Sequence, residues 1–391
     1  MNGKKNSLAC FTGVIDQGVL YTFNNHLSLI MKYDLKDFSY EIAGRVHSDL
    51  PFHDTVIRML LFEGDIYLVM FRTMRIVRYN ITNKNITAYS FSEKILGPDE
   101  LIWSAFMYKT RIWEFSASVG CRIYIFDCRT GKYVEYCSIK ELFEKKNLSI
   151  ESGAFFSNMF QIGNEIWAAV CGTKYVFSFH LDEMDVTVFT VDCEGINSFD
   201  YDGEEFWITV AGTATIMNWS PDCGTTNYFY VNELNFRDYP GCYVAGTADR
   251  VLVVPNSDKD FCSIDRTTGK YKFLSFIGNY QKLSLNQLAY PFGGYIRTGD
   301  IMILFPHNID KIVVIDLRNE SVTYIDGALK KEDYEREYVK NKLYKGGVEE
   351  AGDYKLTDYL AYLHKDAVDP NREKESKNTG EKIFKKIKDG L

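Results

Sequence analysis

The sequence predicts an all-β molecule: a seven-bladed β-propeller of four-stranded antiparallel blades, followed by a short, partly helical C-terminal tail. Three observations carry this reading. Strand-like runs come in groups of four, the group recurs about every 47 residues, and a polar turn residue recurs at the same place in each group. A lone four-stranded sheet cannot bury both of its faces. Stacked radially, each face packs on a neighbour, and closing the ring protects the innermost strands.

The unit is clearest from Arg111 to Cys137. Ile112 to Ser116 alternates around Trp113, Arg122 to Phe126 is a second run, and Tyr133 to Cys137 is a third. Each has the β-branched and aromatic content that suits a pleated, half-buried surface. Asp127 can bond back to the amides of its own turn, and Gly131 can take the positive φ that closes a bulged hairpin. Leu101 to Tyr108 supplies the fourth run, so the unit is a meander of four strands.

Six other units align with it. The bulky residue near the start of the second strand is Tyr21, Tyr67, Trp113, Trp167, Trp207, Leu252 and Met302 in turn. The polar residue that ends the third strand is Asp34, Asn80, Asp127, His180, Ser220, Asp265 and Asp316. Gly-containing turns precede the second strand at Glu63-Gly64-Asp65, Ile162-Gly163-Asn164, Asp202-Gly203-Glu204 and Thr298-Gly299-Asp300. Trp113, Trp167 and Trp207 are expected to pack sheet on sheet rather than to serve as ligand platforms. The ring is expected over 7–327 and the tail over 328–391. Six or eight blades are the competing counts, because the spacing into the fourth unit is long and that into the fifth is short.

In outline the pattern resembles kelch and WD-like propellers. It lacks the paired glycines of a kelch blade and the Gly-His and Trp-Asp dipeptides of a WD repeat. The resemblance is therefore one of architecture and implies no functional residues.

Composition narrows the partners. The 391 residues carry a net charge of −8, and 15% are aromatic. No basic excess is available to neutralise phosphates, so nucleic acid is not the expected partner. No stretch approaches the ~18 uninterrupted apolar residues of a membrane span. Leu8-Ala9-Cys10 has the look of a lipoprotein cleavage site without the apolar run that must precede it, so neither a signal peptide nor a lipid anchor is expected. Nine cysteines without metal spacing read as small buried residues in a reducing cytoplasm. The many Lys, Asn, Ile, Tyr and Phe residues read as bacterial.

After about Gly327 the strand pattern stops. Residues 330–391 hold fifteen Lys/Arg and fourteen Asp/Glu, so the ring carries the acidic excess. Helical spacing links Tyr334 to Tyr338, groups Leu356, Tyr359, Leu360 and Leu363, and groups Ile383, Phe384 and Ile387. Such short stripes make helices that are marginal alone and need a surface to dock on. Asp369 to Gly380 reads as a linker.

In a propeller the connections that lead into each innermost strand share one face with those joining second and third strands. That geometry selects the candidate ligand-binding residues: His26, His53, Arg72, Arg75, Glu100, Trp103, Glu151, Lys174, Tyr239 and His307. Asn25, Asp54, Phe156, Asn197, Lys259 and Asp260 fall on the same face. His307, His26 and His53 belong to units that become neighbours on closure, so their imidazoles could share a metal or a proton. The plainer alternative is three separate solvated loop residues. Glu100 and Glu151 sit at equivalent positions, which suits either a glycosidase pair or two loop pins. No P-loop, GxGxxG, GxSxG or HExxH is present, and no cofactor or metal is expected. The expected function is a non-catalytic scaffold that binds a protein or glycan on its loop face. The rival is a carbohydrate-active hydrolase or lyase using the axial pocket.

Overall fold

The computed structural model describes residues 10–46, 55–71, 75–90, 101–117, 122–150, 154–234, 242–255, 259–276, 291–307, 309, 311–326, 329–330 and 332–337. The chain divides into two units, Met1–Leu329 and Lys330–Leu391. The first is a seven-bladed propeller in which every blade is a four-stranded antiparallel sheet with its strands in chain order. The blades span Gly13–Arg45, Val56–Ser90, Ile102–Ser138, Phe156–Thr190, Ile196–Tyr230, Cys242–Leu274 and Phe292–Asp326.

All seven bulky anchors lie in second strands, and all seven polar turn residues are the last residue of a third strand. The turn chemistry explains the second regularity. Asp127 Oδ1 accepts from the amides of Arg129 (3.0 Å) and Thr130 (2.8 Å). Asp265 does the same for Thr267 and Thr268, and Asp316 for Arg318 and Asn319. Gly131 follows with φ 65°, a conformation that costs a side-chain-bearing residue more than glycine.

Burial follows position within the blade. Second strands are sealed on both faces, as in Val19–Asn24 and Ile301–Pro306, while the outer strand Gly224–Tyr230 is largely exposed. The core is accordingly a series of blade-to-blade interfaces rather than one central mass. Trp113 (1% exposed) packs against Phe179 of the next blade at 5.8 Å, and Trp167 lies 4.7 Å from Phe206. The three aligned tryptophans are sheet-packing residues.

A recurring hydrogen bond joins neighbouring blades. The amide that leads into one blade donates to the carbonyl just past the preceding blade's second strand: Ile102 to Phe71, Phe156 to Ala117, Ile196 to Thr173. At the seam between the last and first blades, Cys10 N donates to Pro306 O, the last residue of that blade's second strand, at 2.8 Å. The ends of the ring are therefore joined by a backbone bond of the same kind, set one residue earlier on the acceptor side. These bonds also place the lead-in segments and the second-to-third-strand connections on one face.

One element was not foreseen. The long interval into blade four contains a helix, Ile139–Lys145, capped by Ser138, whose side chain accepts from Glu141 N. It buries Ile139, Leu142 and Phe143, with Phe143 against Phe177 of blade four at 5.4 Å. In the second unit the described residues form a helix over 332–337, where Arg336 pairs with Asp333 (2.7 Å) and Glu337 (3.2 Å). Tyr338 and the two apolar stripes beyond it lie outside the described residues. Among those described, no helix is long and apolar enough to cross a membrane.

Candidate functional site: the loop face and the axial channel

Of the ten candidate residues, five are described. His53, Arg72, Glu100, Glu151 and Tyr239 lie outside the described residues, as does Asp54. His26 and Lys174 are exposed in the connections that follow the second strands of blades one and four. Arg75 corrects its assignment: it opens the third strand of blade two, opposite Ser90, rather than sitting in the preceding loop. Asn197 and Asp260 are structural: Asn197 Nδ2 donates to Thr209 Oγ1, and Asp260 Oδ1 accepts from Phe276 N.

His307 packs its ring 4.7 Å from Phe11 of the incoming chain. Burial, aided by the positive charge of His26, holds its pKa below the usual histidine value. Two histidines from adjacent blades thus come within electrostatic reach. Among the described residues, no three His, Cys, Asp or Glu side chains gather in a way that could hold a metal ion.

Trp103 and Phe155 form the exposed aromatic pair of this face. Trp103 is 38% exposed, and its indole Nε1 donates to Ser157 O of the neighbouring blade at 3.1 Å. Phe155 is 60% exposed. The expectation had been Phe156, but Phe156 is 2% exposed and packs on Phe177 at 5.4 Å. A one-residue difference in strand register exchanges the buried and open faces, and the sequence Phe155-Phe156 gave no internal cue to the register.

A second set of residues lies on the innermost strands. Arg58 of blade two donates its Nε to Ser104 Oγ of blade three at 3.1 Å. Asp200 of blade five is 2% exposed and accepts three bonds: from Tyr295 Oη of blade seven (2.6 Å), Val244 N of blade six (2.8 Å) and its neighbour Tyr201 N (2.9 Å). Tyr243 and Tyr295 stack obliquely with centroids 5.1 Å apart. Burial outweighs the three donors and raises Asp200 to about 7. Burial likewise lowers Arg58 from the usual guanidinium value, opposed by the charges of Tyr243, Tyr295 and Asp200 across the ring. Side chains of blades two, three, five, six and seven therefore converge on the axis.

None of these was selected from sequence, because no motif marks them. The available signal was a charged residue interrupting an apolar innermost strand: Arg58 in VIRMLLF and Asp200 in INSFDY. On the opposite face a further network joins blades five to seven. Asp202 accepts from Trp207 Nε1 at 2.8 Å and pairs with Arg266, which also pairs with Glu205 at 2.5 Å. Arg297 Nη2 donates to Gly246 O at 2.7 Å. Apart from the Arg266 Nε, which has no partner, its charged groups pair with one another, which marks it as a clamp between blades rather than a site.

No family model matches the sequence, and no curated protein does either. Solved structures do match in shape. The β-propeller domain of Cps50 (Swd1) from Myceliophteria thermophila superposes with a TM-score of 0.52 at 9% identity, over 83% of this chain and 98% of that one. The WD40 repeats of RRP9 give 0.51 at 11% identity, over 76% and 87%. The extracellular domain of a putative hybrid two-component system from B. thetaiotaomicron gives 0.51 at 11%, over 78% of this chain and 40% of that longer one. At such identities the likeness is one of fold alone: this chain has the seven-bladed propeller architecture found in WD40 proteins.

Proposed function

We propose that the protein is a non-catalytic binding scaffold whose loop face takes a protein or glycan ligand through Trp103 and Phe155. The carrying observation is their joint exposure on adjacent blades of a ring that buries its other tryptophans. Open aromatic faces suit both sugar rings and apolar peptide side chains. His26 and Lys174 add polar groups to the same face. The reading places the protein in a reducing cytoplasm, in keeping with the free thiols of the seven cysteines whose side chains are described. The rival reading, a hydrolase or lyase, draws on Glu100 and Glu151, and no observation among the described residues favours it.

The test is a solution screen of oligosaccharides and short peptides against the full chain, followed by Trp103→Ala and Phe155→Ala, singly and together. The double substitution is expected to weaken the ligand found at least about tenfold. Phe155→Ala, at the more exposed position, should change stability by no more than about 0.5 kcal/mol, whereas Trp103→Ala also removes the bond to Ser157 O and should cost about 1–3 kcal/mol. A ligand that binds the double variant as tightly as the parent would place the binding surface elsewhere.

A further inference from the structure

Among the described strands, each blade ends in an outer strand that pairs only with the third and leaves its other edge open. An open edge presents every second backbone N–H and C=O outward, and proteins commonly guard it with charge. Five of the seven outer strands carry charged residues: Glu41 and Arg45, Lys132 and Glu135, Asp185, Lys272, and Asp326. A sixth, Ile86–Ser90, is uncharged but short, and its Tyr89 lies against Phe126 of blade three at 5.1 Å. The seventh, Gly224–Tyr230 of blade five, has no such guard. It reads GTTNYFY, without a charge or a proline, and Thr226, Asn227, Tyr228 and Tyr230 are exposed. Tyr228 and Tyr230 are 60% and 63% exposed, neither hydroxyl makes a hydrogen bond, and neither ring stacks on another. A bulge at Thr226 interrupts the Gly224 end, and beyond it Asn227 to Tyr230 keep a regular register with the third strand.

We propose that this edge is a contact surface between two copies of the chain, whose strands pair antiparallel about Phe229 into one eight-stranded sheet. It is separate from the loop-face aromatics. Pairing about Phe229 keeps the bulge outside the ladder and sets Tyr228 of each copy opposite Tyr230 of the other. Aromatic pairs across a ladder add to its main-chain bonds. Charge selects the occupant. The ring is acidic, so two copies repel wherever their acids approach, and an uncharged strand is where they can meet at least cost. Turned through a twofold axis, the strand opposes no like charges and meets the same row of unpaired backbone groups that it presents. Pairing uses up the edge, so assembly stops at two copies.

The experiment is sedimentation of the full chain over a concentration range of about 1 μM to about 1 mM. A dimer is expected with Kd of about 10–100 μM, because one strand pair is a small interface. Raising salt from about 0.05 M to about 0.5 M should tighten it by screening the two acidic rings, the opposite of an ionic contact. Tyr228→Lys with Tyr230→Lys sets like charges opposite each other twice and should leave the chain monomeric. Tyr228→Lys with Tyr230→Glu sets opposite charges across the same pairs and should dimerise within about tenfold of the parent. Both positions are exposed, so the stability of each variant monomer should match the parent's within about 0.5 kcal/mol per substitution. A parent chain that stays monomeric throughout overturns the proposal and leaves this edge to a strand of another protein. A dimer that the two lysines fail to dissociate, or assembly beyond two copies, overturns it as well. So does loss of the dimer in both variants, because pairing about Phe229 requires the second to recover it.

Discussion

Glu114 and Asp200 are both carboxyls closed off from water, at 1% and 2% exposure, yet they stand in opposite situations. Asp200 accepts three hydrogen bonds. Glu114 accepts one, from Tyr133 Oη at 3.1 Å, and its Oε2 has no partner. It lies on the face of blade three that meets Tyr67, Tyr124 and Phe126. Burial drives Glu114 up to about 8, well above the 4.5 of an exposed glutamate. The folded state therefore takes up a proton between those two values. Its contribution to stability is fully present below pH 4.5 and is lost as pH rises through about 8. Glu114→Gln keeps the bond from Tyr133 and has no proton to lose. It should flatten this pH dependence and gain about 1–3 kcal/mol at pH 7 in denaturant unfolding. Asp200→Asn should do the reverse. One of its oxygens becomes a donor facing a donor, at a cost of about 1–3 kcal/mol. If both amides shift stability in the same direction, hydrogen-bond satisfaction is not what separates the two sites.

At the scale of the element, what was legible is what repeats. The third-strand terminus was readable because at six of the seven positions an Asp, Asn or Ser accepts from an amide of its own turn, and a local hydrogen bond needs no knowledge of the rest of the fold; His180, the seventh, bonds Thr187 instead. The strands around Trp113 were readable because alternation and aromatic content set them out. The helix Ile139–Lys145 was not, since it occurs once and its apolar residues fill a gap that exists only after blades three and four have packed. The choice between Phe155 and Phe156 failed for a related reason: register belongs to the pair of strands, not to either alone. The axial residues were hidden more deeply. Arg58, Asp200 and Tyr295 occur at single positions on three different blades, so no spacing in the sequence draws them together. Elements also limit substitution through contacts that spacing does not reveal. A Cβ on Gly246 would run into the Asp202 carboxylate and the Arg266 guanidinium. Gly246→Ala should accordingly break the clamp between blades five and six and cost about 1–3 kcal/mol. A melting temperature equal to the parent's would show that the clamp is slack.

For the whole molecule the decisive place is the seam. Each blade hides its faces on two neighbours, so an unclosed ring would bare one face of the first blade and one of the last. The chain closes without exchanging a strand between its ends: blades one and seven each draw four consecutive strands from their own stretch of sequence. Closure therefore rests on packing and on the Cys10-to-Pro306 bond rather than on a shared sheet. Gly293 is the hinge of that contact, because a Cβ there would strike the Cys10 carbonyl oxygen and lie 2.8 Å from the Phe11 ring. Gly293→Ala should push the incoming chain off blade seven at a cost of about 1–3 kcal/mol. If the seam is a joint like the other six, both blades that meet there loosen together. Amide hydrogen exchange should then accelerate about ten- to a hundredfold in Gly13–Asp16 and in Phe292–Thr298 alike, with blade four, on the far side of the ring, little affected. Acceleration in blade seven alone would mean that blade one is held by other contacts, and that the ring is not closed by mutual burial at this point.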